Sequence, residues 1–394
     1  MAKKIIIKDN FDRSSFKPVK LDARKNFEAQ IRRLKLPNGV KPDRRPVKVI
    51  DQYAIQLEEV FLLRNPKYRF DKDYHGEFKQ FAAKNGSGDK YVTSGNWFYY
   101  PWLHTVIHFL PDAMHQEVRT GRNRNLITAS EQKKFYNSVI GILGMSVGSH
   151  VALTIAMTGG ARHIKLADLD VLSASNMNRI RTGFVNIEVP KVVAVARQIY
   201  EMNPYAKVEL FADGLTKENL PKFLKGTAKL DVLVEEMDQP YFKMRARELA
   251  RPLGIPVIMA ADNADSIIVD VERYDQNKKY PILHGILGKM TAQEFSKVHP
   301  QDLPRVIAKM AGAEMSTVRM IESVMQVGKT IYSWPQLGNA ANLCGSVLTY
   351  LARKIILGEN VKSGRTDFNL DSAFLPPSKA ETKKRDGLIK MMGM

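Results

Sequence analysis

Only one of the 394 residues is a cysteine. A single thiol excludes an internal disulfide and any thiolate zinc cluster. No uninterrupted apolar run approaches the roughly 18 to 20 residues of a membrane span. The apolar stretch at the start, Ile5-Ile6-Ile7, is far shorter than the roughly 7 to 15 residues of a signal-peptide core. These absences lead us to expect a cytoplasmic protein with no membrane attachment. Acidic residues are also in short supply: 41 Asp and Glu stand against 60 Lys and Arg, a formal net charge of +19.

The positive charge is unevenly spread. Residues 1–48 hold fifteen Lys/Arg and five Asp/Glu, and a second basic run closes the chain with Lys379, Lys383, Lys384, Arg385 and Lys390. Such arms steer nucleic acid, acidic peptides or anionic surfaces, and equally serve as solvated ends that aid solubility. The length allows one large core and a second, smaller one. A hydrophobic fraction of 44% and a charged fraction of 26% are ordinary for a globular protein.

Three segments follow from the patterning. Residues 1–118 read as a basic α+β module: an arm with a short helix over 27–34, an amphipathic helix over 49–63, and strands over 91–93 and 97–110 broken at Pro101. Its Trp97, Tyr99, Tyr100 and Trp102 make either an exposed binding face or half of a core. From about residue 119 to 360, apolar strands alternate with helices, and this implies right-handed βαβ units. The expected fold class is α/β, a Rossmann-like, mostly parallel sheet with helices on both faces. Residues 267–274 read as a strand turning away from that sheet and 285–333 as helical and Met-rich. Residues 361–394 read as a loose basic tail.

The chemistry concentrates between Val139 and Lys191. The strand over Val139–Leu143 runs into Gly144-Met145-Ser146-Val147-Gly148. Glycines at a strand-to-helix turn let backbone N–H groups approach phosphates, with help from the helix dipole. Ser146 stands where a glycine is usual, so the loop alone supports only a nucleotide. Asp168 ends the next strand, twenty residues after Gly148; a carboxylate there accepts from a ribose or is a plain surface residue. Ser175-Asn176-Met177-Asn178-Arg179, with Lys191 twelve residues on, separates the cases. Hydride transfer has no use for it. Adenylation does, because the α-phosphate passes through a charge-rich state and pyrophosphate leaves as a polyanion. Asp238 closes a later strand at the same edge and can hold a magnesium ion.

Taken together, Asp168-x-Asp170, Ser175-Asn176-x-x-Arg179, Pro190-Lys191 and Asp238-Gln239 resemble the ThiF/MoeB family, the fold of ubiquitin-activating enzymes, over roughly 120–355. The resemblance implies an ATP-dependent adenylyltransferase with ATP and magnesium as cofactors. Gly144, Ser146, Gly148, Asp168, Asp170, Asn176, Arg179 and Lys191 are then cofactor-binding residues. Arg179, Lys191 and Asp238 are catalytic, with Asp238 on the metal. It also implies a homodimer in which Arg124, in the place of the family's Arg-Gln pair, serves the partner's nucleotide. Two departures stand out: Ile180 replaces the usual Gln, and the paired C-x-x-C motifs of zinc-binding relatives are missing. Relatives that form thioesters use a cysteine after the sheet, but Cys344 lies in an apolar helix and reads as buried and structural.

The long N-terminal segment is similar to the branch that matures ribosomally made peptides, such as the pantocin A precursor. That likeness implies an acidic peptide or small-protein substrate, adenylated on a carboxylate and attacked by an internal nucleophile; His284 or a lysine of the Met-rich segment could serve as a base, and His284 equally reads as a core histidine. The alternatives are adenylation and cyclisation of a tRNA-borne carboxylate, or activation of a ubiquitin-like C-terminus. Further off lies an NAD-dependent or non-catalytic Rossmann protein.

Overall fold

The computed structural model describes residues 15–25, 27–32, 47–86 and 88–391. The chain divides into two compact units. One comprises the described residues up to Ala129 together with Ala196–Tyr205; the other comprises Ser130–Val195 and Ala206 onward. Most of the expected basic arm, and the end of the helix expected over 27–34, lie outside the described residues.

The first unit contains β1 (Val19–Leu21), α1 (Phe27–Arg32), β2 (Lys48–Asp51), α2 (Tyr53–Arg64), α3 (His75–Asn85), β3 (Asn96–Tyr100), β4 (Thr105–Phe109) and α4 (Asp112–Arg119). Its sheet runs β1-β3-β4-β2. Two expectations need correction. Residues 49–51 are strand, paired in parallel with β4, and Asp51 Oδ1 then accepts the Tyr53 amide at 3.1 Å where the helix starts. Residues 91–93 are a turn, because the Ser94 amide bonds back to Lys90 and Tyr91, and the Val92 carbonyl receives the Trp97 indole at 2.9 Å. Trp97, Tyr99 and Tyr100 are buried, so this is core and not an open binding face. His108 lies between the Trp97 ring (3.9 Å between centroids) and the Tyr53 ring (4.6 Å). Residues Ala196–Tyr205 complete the unit through Tyr100 Oη–Tyr200 O at 3.0 Å and Trp102 Nε1–Glu201 Oε1 at 2.5 Å.

The second unit is α/β. In chain order the elements from Ala129 onward are α5 (Ala129–Tyr136), β5 (Val139–Leu143), α6 (Val147–Met157), β6 (His163–Ala167), α7 (Lys191–Met202, of which Ala196–Met202 belongs to the first unit), β7 (Lys207–Phe211), α8 (Leu220–Lys225), β8 (Val232–Glu235), α9 (Pro240–Leu253), β9 (Val257–Asn263) and β10 (Ser266–Glu272). There follow α10 (Ala292–Phe295), α11 (Leu303–Ala311), α12 (Val318–Val324), α13 (Gly338–Leu357), β11 (Gly364–Phe368), α14 (Leu370–Phe374) and α15 (Lys379–Met391). The seven-stranded sheet has the order β11-β10-β9-β8-β5-β6-β7, parallel from β9 to β7. Its central strands are continuous apolar runs covered on both faces. α6 is apolar nearly all round and correspondingly buried. α13 approaches it so closely that a Cβ on Gly345 would come within 2.6 Å of His150 Cβ. No described helix is long and apolar enough to cross a membrane.

The far side of the sheet differs from expectation. β10 does not turn away: it returns antiparallel on β9. Part of the expected loose tail is β11, antiparallel to β10 at the edge, and Lys384 of α15 pairs with Glu322 of α12 at 2.7 Å. All seven residues of β10 are buried, two of them acidic. Asp270 is held by Arg365 of β11 at 2.7 Å and by His284 at 3.0 Å. Glu272 is held by Arg247 of α9 at 2.5 Å, and Arg247 also reaches Glu235 of β8 at 2.5 Å.

Removing one partner of a buried pair strands the other charge. Arg247→Met should therefore lower the stability of the second unit by about 3–5 kcal/mol, read as a shift in the urea midpoint. A midpoint matching wild type would contradict this account of the network.

Candidate functional site

The predicted residues gather at the carboxyl ends of β5, β6, β8 and β9. The chain runs outward from β5 through β6 and β7, then crosses back to β8 on the other side. That reversal leaves the crevice in which open α/β sheets bind ligands. Gly144 sits at its mouth with φ +80, and a Cβ there would lie 2.3 Å from the Glu236 carbonyl oxygen, so only glycine fits. Gly148 has a different reason: its Cβ would press on Ile142 of the strand beneath. Ser146 caps α6 by position, without a side-chain cap, and its hydroxyl oxygen accepts Arg179 Nε at 3.2 Å. The serine that departs from the usual glycine pattern thus brings the motif arginine to the N-terminus of α6.

Asp168 ties the loop to β6. Its Oδ2 accepts the Met145 amide at 2.6 Å and its Oδ1 the Asp170 amide at 2.7 Å, and spare lone pairs remain for a ligand. Burial pushes this carboxyl above its ordinary range, against the pull of Lys191 and the two amides. Asp170 has a role that the sequence reading did not assign: its Oδ2 pairs with Lys191 Nζ at 2.7 Å and its carbonyl accepts the Lys191 amide at 2.9 Å. Lys191, at the start of α7, is buried and held by that counter-ion.

Asn176 is buried, and its Oδ1 accepts the Ser173 amide at 3.1 Å. Arg179 is half-buried and donates through Nη1 to the Ser175 carbonyl at 3.1 Å and to Asn178 Oδ1 at 2.9 Å. Burial pulls its pKa down, while the charges of Asp262 and Asp238 oppose that. The Arg179 carbonyl accepts the Nε2–H of His150, whose own pKa burial lowers. Asp238 is exposed on the loop between β8 and α9.

Three residues at this edge escaped the motif. Glu236 accepts the Ala260 amide at 2.8 Å, and burial lifts its carboxyl well above the usual range. Asp262, at the end of β9, accepts Gln336 Nε2 at 2.9 Å and the Cys344 thiol at 3.5 Å, and burial raises it too. Gln336 is the third. The one available signal was strand-end position, the same that singled out Asp168 and Asp238. Cys344 is fully buried and its thiol pushed far up, first by burial and then by Asp262, so it is held as the unreactive thiol.

Two other predicted residues are bonded to groups outside this cluster. Arg124 belongs to the first unit, where Nη2 pairs with Glu117 at 2.9 Å and Nη1 donates to the Leu63 carbonyl at 2.6 Å. His284 is mostly buried between Asp270 at 3.0 Å and the Tyr280 hydroxyl at 3.0 Å, which is a core role and not that of a base facing substrate. A cavity of about 750 Å³ bordered by Lys133, Lys134 and Lys229 opens at the opposite, amino edge of the sheet.

Protein MT1398 of Mycobacterium tuberculosis is 37% identical over 278 residues, which are 70% of this chain and 38% of that one. The tRNA threonylcarbamoyladenosine dehydratase 2 of Saccharomyces cerevisiae is 28% identical over 128 residues, 32% of this chain and 28% of that protein. The chain thus spans less than two fifths of either curated relative. Among solved structures, E. coli MccB with MccA is similar at 16% identity and a TM-score of 0.44, over 76% of each chain. The model of the ThiF family matches residues 120–369, well over half of the sequence; the chain belongs to the ThiF family.

Proposed function

We propose that this chain adenylates a substrate carboxylate with ATP, releasing pyrophosphate. The observation that carries the reading is Arg179 bonded to Ser146 at the N-terminus of α6, beside Asp168 at the end of β6. A carboxylate oxygen attacks the α-phosphorus and the bond to the β-phosphate oxygen breaks. The amides of the first turn of α6, Arg179 and Lys191 hold the phosphates, and Asn176 offers its amide nitrogen. Asp168 takes the ribose. Asp170 contributes by fixing Lys191 and does not itself need to touch the nucleotide.

Magnesium suits this site. Among the described residues no three His, Cys, Asp or Glu groups form a ready-made metal cage. Mg²⁺ typically takes one or two carboxylates and fills its remaining positions with water and phosphate oxygens. Asp238 would be that carboxylate, and the ion would offset charge on the phosphates.

The substrate we favour is an acidic precursor peptide, drawn to a chain of net charge +19 and finished by an internal nucleophile without an enzyme thioester. A homodimer with Arg124 turned to the partner's nucleotide belongs to the same reading. To serve there Arg124 must give up its pair with Glu117. A tRNA-borne carboxylate is the second reading, supported by the yeast tRNA-modifying relative and by the same charge.

Pyrophosphate exchange tests the reading, with an acidic peptide encoded nearby and bulk tRNA compared as activators. Peptide-dependent exchange supports the first substrate class; exchange driven by tRNA, weakening steeply with salt, supports the second. Arg179→Ala and Asp238→Ala should each keep the fold and lower exchange by about 10²- to 10³-fold; wild-type rates in either would remove that residue from the site. Cys344→Ala should retain exchange and product formation, and a folded but inactive variant would reinstate covalent catalysis.

A further inference from the structure

The loop that carries Arg179 is tied to the start of α13 and to the end of β9 by groups outside the motif. Gln336 stands two residues before α13. Its side-chain amide donates to Asp262 Oδ2 at 2.9 Å, and its backbone carbonyl accepts Asn178 Nδ2 at 2.8 Å. The oxygen of that same Asn178 amide accepts Arg179 Nη1 at 2.9 Å. An unbroken run of hydrogen bonds therefore joins β9 to the guanidinium.

The run has little slack. A Cβ on Gly338 would come within 2.6 Å of the Asn178 carbonyl oxygen, so α13 begins hard against the loop. Asn339 Nδ2 donates to Asp265 Oδ1 at 2.6 Å, which pins the same turn of α13 to the β9–β10 hairpin. Asp262 spends its second oxygen on the Cys344 thiol, so its orientation is set from two sides. Donors that stabilise developing charge act best when already in place, and a long arginine is not in place unless something restrains it.

We propose that Gln336 is a positioning residue for Arg179: its side chain fixes its own carbonyl against Asp262, and that carbonyl orients the Asn178 amide that holds the guanidinium. The inference rests on Arg179 acting as a phosphate clamp.

The test uses the full chain and pyrophosphate exchange. Gln336→Ala should lower kcat by about 10- to 100-fold, with a much smaller change in the KM for ATP. Combining it with Asn178→Ala should cost little more than either alone, because both break one run. Gln336→Glu faces Asp262 with a second carboxylate and should be impaired likewise. Adding Asp262→Asn restores a donor–acceptor pair in reverse and should recover most of the lost rate. Amide hydrogen exchange in the free protein gives a readout independent of turnover: residues 176–180 should exchange faster in Gln336→Glu while α6 is unchanged.

A wild-type kcat in Gln336→Ala, losses that multiply with Asn178→Ala, or unaltered hydrogen exchange at 176–180 would each overturn the role of Gln336 alone. Absence of exchange in the wild-type protein, with every candidate substrate, would instead overturn the adenylation reading beneath it.

Discussion

Much of the carboxyl edge depends on one buried guanidinium. Arg247 is fully enclosed between Glu235 of β8 and Glu272 of β10, and it fastens α9 to both strands. Burial alone would drive Glu235 towards its neutral form, but Lys243 and Arg247 outweigh that and hold it charged. Charged, it accepts the Met237 amide at 2.9 Å and so shapes the loop that leads to Asp238. The next residue, Glu236, accepts the Ala260 amide, and burial outweighs both the charge of Lys243 and that bond and carries it the other way. Two adjacent glutamates are therefore shifted in opposite directions, one a structural anion inside the sheet and one a carboxyl beside the glycine loop whose charged form burial disfavours.

The parts of this arrangement that were legible in the sequence are those with short-range causes. The alternation of apolar strands and helices from Val139 to Ala260 specifies a parallel sheet, because strands covered on both faces read as uninterrupted apolar runs. Gly144 was legible because a strand-to-helix turn needs a backbone that no side chain obstructs. That Arg179 and Lys191 would lie near the glycine loop was legible because both stand in the connection that follows β6, and the fold limits its reach.

The parts that were not legible depend on contacts between residues distant in the chain. Asp170 was read only as a nucleotide ligand, because nothing in its neighbourhood revealed that Lys191 would also fold back onto it. Gln336 and Asp262 are separated by 74 positions and meet only because β9 and α13 end side by side. The β11 segment reads as tail, since Gly364-Arg365-Thr366-Asp367-Phe368 has weak strand character of its own. It becomes a strand because β10 presents a free edge and because Arg365 has Asp270 to neutralise. Residues 49–51 carried the opposite error: their apolar spacing continues the helix of α2, but the edge of β4 captures them first.

The packing of His108 against Trp97 has a bearing on how the molecule reports on itself. The chain holds three tryptophans. Trp97 is sealed in the first unit and stacked on an imidazole, and Trp102 of the same unit hydrogen-bonds Glu201. Trp334 is 58% exposed, two residues before Gln336. The intrinsic fluorescence is thus partitioned by architecture. Two indoles belong to the first unit, and the third looks into solvent close to the start of α13. The three indoles thus sit in unlike surroundings, two within the first unit and one in contact with solvent in the second.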